Sequence, residues 1–490
     1  IGGGFQNRAT GIRSTVGGGV GNIACDEAVV GGGANNLASG TNSFIGGGYV
    51  NIASGNYGIV TGGISNCATG NCSTVGGGRA NTASGCFATV AGGCGSVAGG
   101  YSSVATGFGN NGSGNYTGAL SGSFNIASGD TATISGGASN TASAYTSFVG
   151  GGGSNISSGI ASVITGGKSN RASGACSFIG GGQGNCTTAV YSTVGGGQGN
   201  CTTAVYSTVG GGYTNTASHN YSTVGGGYIN SIATNSYAGT ISGGYRNYMY
   251  ASNGTIGGGL CNWMCCSLNA NSSAGSTIAG GVGNNTSGGT WNSGGYFSVA
   301  PTTFYAAGQL STIGGGFQNR ATGASSFVGG GMTNISSGIA STVGGGCNNC
   351  ATSNHAFVGG GLSNTATTDS YALVAGGYAN TTSSAFGAVT GGRNNSASNY
   401  RSFVGGGYGN IGSGADSVAV GGQVNTASGE GSVAVGGCNN LSSGSFTFIG
   451  GGDVNQAVAG ARNVISGGQA NRICGSSSGC NTIGGGWTNC

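Results

Sequence analysis

Thiols are the side chains of this sequence with the strongest nucleophilic and metal-binding chemistry. The 490-residue chain contains 17 cysteines, and an odd number leaves at least one of them without an intrachain partner. Spacing along the chain selects two candidate disulfide pairs, Cys186 with Cys201 and Cys72 with Cys86, and Cys347 and Cys350 are two further candidate cysteines. The predicted chemistry is therefore disulfide stapling of an extracellular protein. The alternative interpretation is that cysteine fills small buried sites.

A metal site or a bound cofactor is not expected. Zinc sites combine several Cys and His ligands, whereas the one C-x-x-C, Cys347 to Cys350, has only His219 and His355 as imidazole partners in the whole chain. Glycine tracts are frequent, but no Gly-Lys-Ser/Thr follows any of them, so they do not match a phosphate-binding loop.

Enzymatic catalysis is not expected either. Active sites need titratable groups that converge in a pocket, and the chain has only seven carboxylates and two histidines. The one adjacent acidic pair, Asp26 and Glu27, is interpreted as a solvated turn, because neighbouring strand residues point to opposite faces. We predict that the protein is not an enzyme.

Asparagine recurs at one position of a repeat and is predicted to form a ladder. Identical amides stacked about 4.8 Å apart can hydrogen-bond to each other along a fibre axis. The candidate ladder residues are Asn155, Asn185, Asn200, Asn215, Asn334 and Asn349. Many of them begin an Asn-x-Ser/Thr sequon, which an Asn column in a Ser/Thr-rich repeat generates by chance. Asn71 and Asn115, off the ladder, are the better candidates for glycosylation.

The element that positions these residues is a 15-residue repeat with the consensus S-x-V-G-G-G-x-x-N-x-A-S-G-x-Y. An apolar anchor precedes the glycines 32 times, as Val or Ile in 29 repeats and as Ala119, Ala419 and Ala434 in three. Of the 31 gaps between anchors, 22 are 15 residues long. Asparagine follows the anchor by six residues in 30 of the 32 repeats, the exceptions being Ser96 and Tyr305.

This pattern predicts an all-β parallel β-solenoid in which each repeat forms one coil, here called a rung. β-branched residues suit a pleated surface, and glycine permits close backbone approach or positive φ. Helices are excluded because glycine at this density would cost about 1 kcal/mol per residue relative to alanine. At one sheet spacing per rung, 32 rungs would extend over roughly 150 Å.

Composition excludes other classes of protein. Charged residues make up 4% of the chain and the net charge is +4, with Lys and Arg scattered, so no nucleic-acid partner is expected. No run of 18 apolar residues is present, so no membrane span is expected. The sequence begins and ends in mid-repeat, and we expect the natural protein to continue beyond it.

Regular spacing predicts three regions: a regular solenoid over 1–256, irregular rungs with loop insertions over 257–312, and a second regular solenoid over 313–490. Insertions in solenoids emerge as loops, often on a binding face. Trp263, Trp291, Tyr296 and Pro301 are the candidate contact residues of the irregular region. A packing irregularity or a junction between two solenoid segments is the alternative.

Residues 417–422 and 432–437 both read SVAVGG, and each is followed by an Asn-bearing segment. This motif resembles the head repeats of trimeric autotransporter adhesins of the YadA type, and related repeats of phage and large-virus fibres. The resemblance covers most of the chain in rung length and apolar column, but the period here is 15 rather than 14, and three glycines replace one. It implies a left-handed β-roll, a homotrimer and a surface location. In a trimer, Cys347 could pair with Cys350 of a neighbouring chain.

We therefore expect a structural fibre on a cell or virion surface that acts as a rigid spacer and attachment rod. Its expected partners are further copies of itself, with a host-surface glycan or receptor as a further candidate. The alternatives are an adhesin with receptor contacts in the irregular region, and an ice-binding β-solenoid. Ice binding requires regular threonine ladders, which Phe, Ser, Ile and Cys interrupt here.

Overall fold

The computed structural model describes residues 1–234, 236–264, 274–286, 308–458, 460–474 and 480–490. The chain divides into two compact units, Ile1–Ile229 and Asn230–Cys490. Within each unit, short strands pair in parallel with strands about 15 residues away, as Thr193–Val194 does with Thr208–Val209. The described residues form a parallel β-solenoid of about 29 rungs and contain no helix. The predicted fold class is confirmed.

Each rung contributes two strands. The first, here called the alanine strand, follows the ladder asparagine. The second, here called the valine strand, contains the apolar anchor, which is its last residue in most rungs. In the first unit the alanine strands are Arg8–Ala9, Ile23–Ala24, Leu37–Ala38, Ile52–Ala53, Cys67–Ala68, Thr82–Ala83, Val97–Ala98, Asn111–Gly112, Ile126–Ala127, Thr141–Ala142, Ile156–Ser157, Arg171–Ala172, Cys186–Thr187, Cys201–Thr202 and Thr216–Ala217. The valine strands of this unit are Thr15–Val16, Val29–Val30, Phe44–Ile45, Ile59–Val60, Thr74–Val75, Thr89–Cys94, Val104–Phe108, Gly118–Ala119, Thr133–Ile134, Phe148–Val149, Val163–Ile164, Phe178–Ile179, Thr193–Val194, Thr208–Val209 and Thr223–Val224.

The second unit repeats the same plan. Its alanine strands are Ser231–Ile232, Tyr248–Met249, Trp263–Met264, Arg320–Ala321, Ile335–Ser336, Cys350–Ala351, Thr365–Ala366, Thr381–Thr382, Ser396–Ala397, Ile411–Gly412, Thr426–Ala427, Leu441–Ser442, Gln456–Ala457 and Arg472–Ile473. Its valine strands are Thr240–Ile241, Thr255–Ile256, Thr277–Ile278, Thr312–Ile313, Phe327–Val328, Thr342–Val343, Phe357–Val358, Leu373–Val374, Ala388–Val389, Phe403–Val404, Val418–Ala419, Val433–Ala434, Phe448–Ile449, Val464–Ile465 and Thr482–Ile483.

The core of each unit lies between these two columns of strands. Successive strand residues alternate between outside and inside, so each two-residue strand places one side chain on each side. The inward residue is a buried Val or Ile in most valine strands and a buried Ala in most alanine strands. A buried Ser two residues before the anchor, such as Ser207, completes the interior of the rung.

Where an alanine strand carries a larger inward residue, a smaller residue nearby keeps the volume of the core about the same. Met249 and Met264 are fully buried in alanine strands of the second unit. In these rungs Gly239 and Gly254 occupy the position of the usual buried Ser, and a Cβ on either would lie 2.5 or 2.4 Å from the methionine Sδ. Glycine therefore provides the space that the methionine side chains fill, because interiors are close-packed.

Two details of the rung count differ from the sequence-based expectation. Ala105 is a fourth alanine in the inward position of the valine column, where it is fully buried beside the half-buried Val104. Ile278 pairs directly with Ile313. The count had placed another rung between these two anchors, with Tyr305 at its asparagine position, and this rung was one too many. The error arose because the sequence between Ile278 and Ile313 is long enough to imitate two periods.

Candidate functional site

The ladder asparagines form a buried column whose hydrogen bonds join neighbouring rungs. Asn155, Asn185, Asn200, Asn215, Asn334 and Asn349 are all at most 1% exposed. Asn200 shows the pattern: its backbone N–H donates to Oδ1 of Asn185 at 2.9 Å, and its own Oδ1 accepts from the backbone N–H of Asn215 at 2.8 Å. Its Nδ2 donates to the carbonyl oxygens of Gly196 at 2.8 Å and Gly212 at 2.9 Å.

The bonding differs from the predicted amide-to-amide ladder. Most contacts join an amide to backbone groups, and direct contacts between side chains, such as Asn215 Nδ2 to Asn200 Oδ1 at 3.2 Å, occur in only some rungs. The backbone therefore supplies most of the partners, because the glycine tract places two carbonyl oxygens within reach of each Nδ2. Ser96 keeps part of this pattern: its N–H donates to Asn81 Oδ1 and its Oγ to Gly107 O, both at 3.0 Å.

Burial also decides which sequons are accessible. The ladder asparagines are enclosed on both sides by rungs, so their amides are already committed to backbone carbonyls. Asn71 and Asn115 are exposed at the turn between the alanine and valine strands. Their Oδ1 atoms accept from the backbone N–H of Asn56 at 3.2 Å and Tyr101 at 3.1 Å.

Only one of the two candidate disulfide pairs lies directly opposed within the chain. Cys186 and Cys201 are register partners on neighbouring alanine strands. Cys72 and Cys86 are exposed but offset by one position, because Phe87, not Cys86, repeats the backbone bond of Cys72 to the preceding rung. All fifteen described cysteines carry free thiols, and disulfide formation stays a prediction.

Cys347 and Cys350 occupy different columns of the solenoid. The backbone of Cys347 forms isolated β-bridges with Met332 and Leu362 at the corner after the glycine tract. Cys350 instead pairs with Ile335 and Thr365 in the column of alanine strands. Both are half-buried. Burial raises the pKa of the Cys350 thiol, and the charge of Arg320 opposes that rise. The predicted bridge to a neighbouring chain stays a prediction.

The candidate contact residues are only partly within the described ranges. Trp263 is half-buried on the outward side of its alanine strand, with its ring 5.2 Å from that of Tyr248 and 6.0 Å from that of Tyr250. Trp291, Tyr296 and Pro301 lie outside the described residues. Where it is described, the irregular region therefore continues the column of strands and adds a small aromatic cluster to it.

Aromatic ladders on exposed corners are a feature that the sequence analysis missed. Tyr191, Tyr206 and Tyr221 stack with centroids 5.0 and 5.1 Å apart and nearly parallel planes. Tyr213 and Tyr228 stack at 4.9 Å on another corner. The signal was present as a tyrosine three residues before the anchor in consecutive repeats. Because the rings cover each other's faces, mainly their edges and hydroxyl groups face solvent.

In each unit, charged side chains avoid one face of the solenoid. Among the described residues, none of the valine strands contains a charged residue, and their outward positions carry mainly Thr, Val and Phe. Phe44, Phe178, Phe327, Phe357 and Phe448 are 36 to 41% exposed there. This surface, formed by the outward residues of the valine strands, is here called the valine face. Arg8, Arg171 and Arg320 lie instead on the outward side of alanine strands.

Within the described ranges, no cluster of three His, Cys, Asp or Glu side chains could hold a metal ion. Asp26 and Glu27 lie in an exposed turn, and Glu27 pairs with Arg13 of the preceding rung at 3.2 Å. The described residues include no helix long and apolar enough to cross a membrane.

Comparisons with known proteins leave the family open. No protein-family model matches the chain, and no curated protein is similar to it in sequence. The chemistry of the rungs must therefore carry any functional argument.

Proposed function

We propose that this chain is a structural fibre protein that assembles as a homotrimer on a cell or virion surface and serves as a spacer and attachment rod. One observation carries the proposal: the buried polar side chains of the rungs form hydrogen bonds that hold neighbouring rungs together. The ladder asparagines bind the rungs on both sides of them, as Asn200 does. Solenoids of this kind gain their stability from interfaces between repeats.

The valine face supports self-association. It is uncharged throughout the described rungs and exposes large apolar side chains such as Phe178 and Phe327 at 38 and 39%. Apolar side chains exposed on an uncharged surface are typical of interaction sites. A partner that covers it must repeat at the spacing of the rungs, and a further copy of this chain meets that condition. The left-handed coil and the trimer implied by the adhesin resemblance belong to the same proposal.

Sedimentation velocity on the full chain tests the assembly and its face together. We expect a trimer for the unmodified protein. Replacing Thr193 and Thr223 by Lys places charges on the valine face, and we expect that variant to sediment as a monomer at the same concentration, because an unpaired charge at the centre of an interface is costly.

The matched control replaces Gln183 and Tyr213 by Lys on the corner after the glycine tract, again with one rung between the two new charges. This control should remain trimeric, with far-UV circular dichroism unchanged in both variants. A monomeric unmodified chain would reject the trimer. A trimer that resists the valine-face charges but dissociates in the control would place the interface elsewhere.

A further inference from the structure

Cys186 and Cys201 stand out from the other described cysteines because they are equivalent residues of two consecutive rungs. Their alanine strands, Cys186–Thr187 and Cys201–Thr202, pair in parallel with the two cysteines in register. Both side chains are outward and half-buried. Neighbouring strands lie about 4.8 Å apart, which is inside the Cα separation that a disulfide allows.

The surroundings of the pair favour a thiolate at Cys186. The neighbouring Cys201 thiol, helped by Arg171 in the preceding rung of the same column, lowers the pKa of Cys186 to about 7 although burial opposes it. The nearby Cys186 sulfur raises the pKa of Cys201 far above its usual range. Cys201 and Arg171 are the titratable groups that act on Cys186. A thiolate, rather than a thiol, is the reactive nucleophile.

An isolated cysteine in the same column provides the comparison. Cys67 is flanked by Ile52 and Thr82 in the neighbouring rungs, without a second thiol. Burial alone raises its pKa above the ordinary value. The two environments predict that Cys186 is reactive at neutral pH and that Cys67 is not.

We propose that Cys186 and Cys201 form a redox-reversible dithiol that closes to a disulfide between consecutive rungs. This inference goes beyond the structural role and does not depend on the trimer. The Cys186 thiolate attacks a small-molecule disulfide such as glutathione disulfide, forming a mixed disulfide and releasing one thiolate. Cys201 then loses its proton and attacks the Cys186 sulfur, releasing the second thiolate. Two protein thiols are oxidised as one disulfide is reduced to two thiols.

Strand geometry makes this bond easy to reopen. In-register parallel strands hold the two Cβ atoms at about the strand spacing of 4.8 Å, whereas disulfides prefer a Cβ separation of about 3.5 to 4.5 Å. Both side chains must lean toward each other for the bond to close, and strained disulfides are the more readily reduced ones.

The position of the pair gives the bond a structural consequence. Residues 183–197 and 198–212 have identical sequences. If one of these rungs were shifted by a whole rung along the solenoid, the same side chains would still line up in every column. A covalent link between these two rungs fixes which copy lies against which.

The test equilibrates the 490-residue chain in glutathione buffers of increasing oxidised fraction, blocks free thiols by alkylation and maps the products by mass spectrometry after chymotryptic digestion. Cleavage after Tyr191 separates the two cysteines, and cleavage after Phe178 removes Cys176. We expect the peptides that contain Cys186 and Cys201 to be linked in oxidising buffer, and to separate at a glutathione ratio that leaves the disulfides of hen lysozyme intact.

Two variants complete the test. In Cys201→Ser the link should disappear, Cys186 should retain a glutathione adduct, and the midpoint of its alkylation rate against pH should rise from near 7. In Cys67→Ser the link and the profile should be unchanged. At neutral pH we expect Cys186 to react with iodoacetamide at least tenfold faster than Cys67. Absence of the link in a natively folded chain, pairing of Cys186 with another cysteine, or equal rates for the two thiols would overturn the proposal.

Discussion

Asn200 depends on the absence of a side chain three residues earlier. A Cβ on Gly197 would lie 2.7 Å from Asn200 Nδ2 and 2.1 Å from the carbonyl oxygen of Gly212 in the next rung. Gly197 also has a φ of +85°, which residues with a Cβ rarely adopt. Gly196 is different, because no atom lies within 4 Å of a Cβ built there. The three glycines of the tract are therefore not equivalent, although the consensus shows them as one motif.

Gly197→Ala should lower the free energy of unfolding by about 1 to 3 kcal/mol, the usual range for overpacking, because both the backbone conformation and the neighbouring rung oppose the methyl group. The measurement is the midpoint of urea unfolding followed by far-UV circular dichroism.

Gly196→Ala is the matched control and should leave the midpoint within about 0.5 kcal/mol of the unmodified chain. Equal losses in the two variants would contradict this account of the tract.

Phenylalanine on the valine face follows a related rule. Phe178 packs over the residue two positions later, with its Cε1 3.4 Å from where a Cβ of Gly180 would be. Phe327 and Gly329 repeat this contact at 3.4 Å. An outward Phe thus covers a backbone that a glycine leaves bare, which explains the recurring sequence Phe-Val/Ile-Gly.

The rung is the element whose architecture the sequence predicted best. The period, the parallel stacking and the inward column of Val and Ile follow from residue types that repeat every 15 positions, because identical side chains in register produce identical packing. Ala105 and the direct pairing of Ile278 with Ile313 did not follow, since both depend on where an irregular gap is absorbed. Backbone partners of the ladder amides were also unpredictable, because no sequence pattern specifies where a carbonyl oxygen points.

Removal of residues 183–197 should leave the solenoid intact, because residues 198–212 have the same sequence and every column of side chains continues in register. We expect an unchanged circular dichroism spectrum and a small change in the urea midpoint, as repeat stabilities sum approximately.

Removal of residues 183–190 provides the contrast, since half a rung would place the alanine and valine columns out of alignment. Loss of cooperative unfolding or of soluble expression is expected for this shorter deletion. If both deletions behave alike, the 15-residue rung is not the unit of stacking.

Charge contributes little to the stability of the molecule as a whole. The described residues contain two ion pairs, Arg13 with Glu27 and Arg401 with Asp416, and both are partly exposed to solvent. Exposed pairs are worth about 0 to 1 kcal/mol each. The buried amide and backbone bonds between rungs, in contrast, are shielded from ions in solution.

The thermal unfolding midpoint should therefore change little between low and high sodium chloride concentration. Differential scanning calorimetry measures it, with Arg401→Ala as a control that should shift the midpoint by no more than a few degrees. A midpoint that falls steeply with salt would show that charges, rather than the ladder, hold the rungs together.

The hydrogen bonds of the ladder also bear on how the protein is made. Those that join Asn200 to the neighbouring rungs link residues 12 to 15 positions apart along the chain, so a rung needs only the one synthesised just before it. Contacts this local favour fast folding. During synthesis, each new rung can therefore fold onto the rungs that have already formed, before the C-terminal part of the chain has been made.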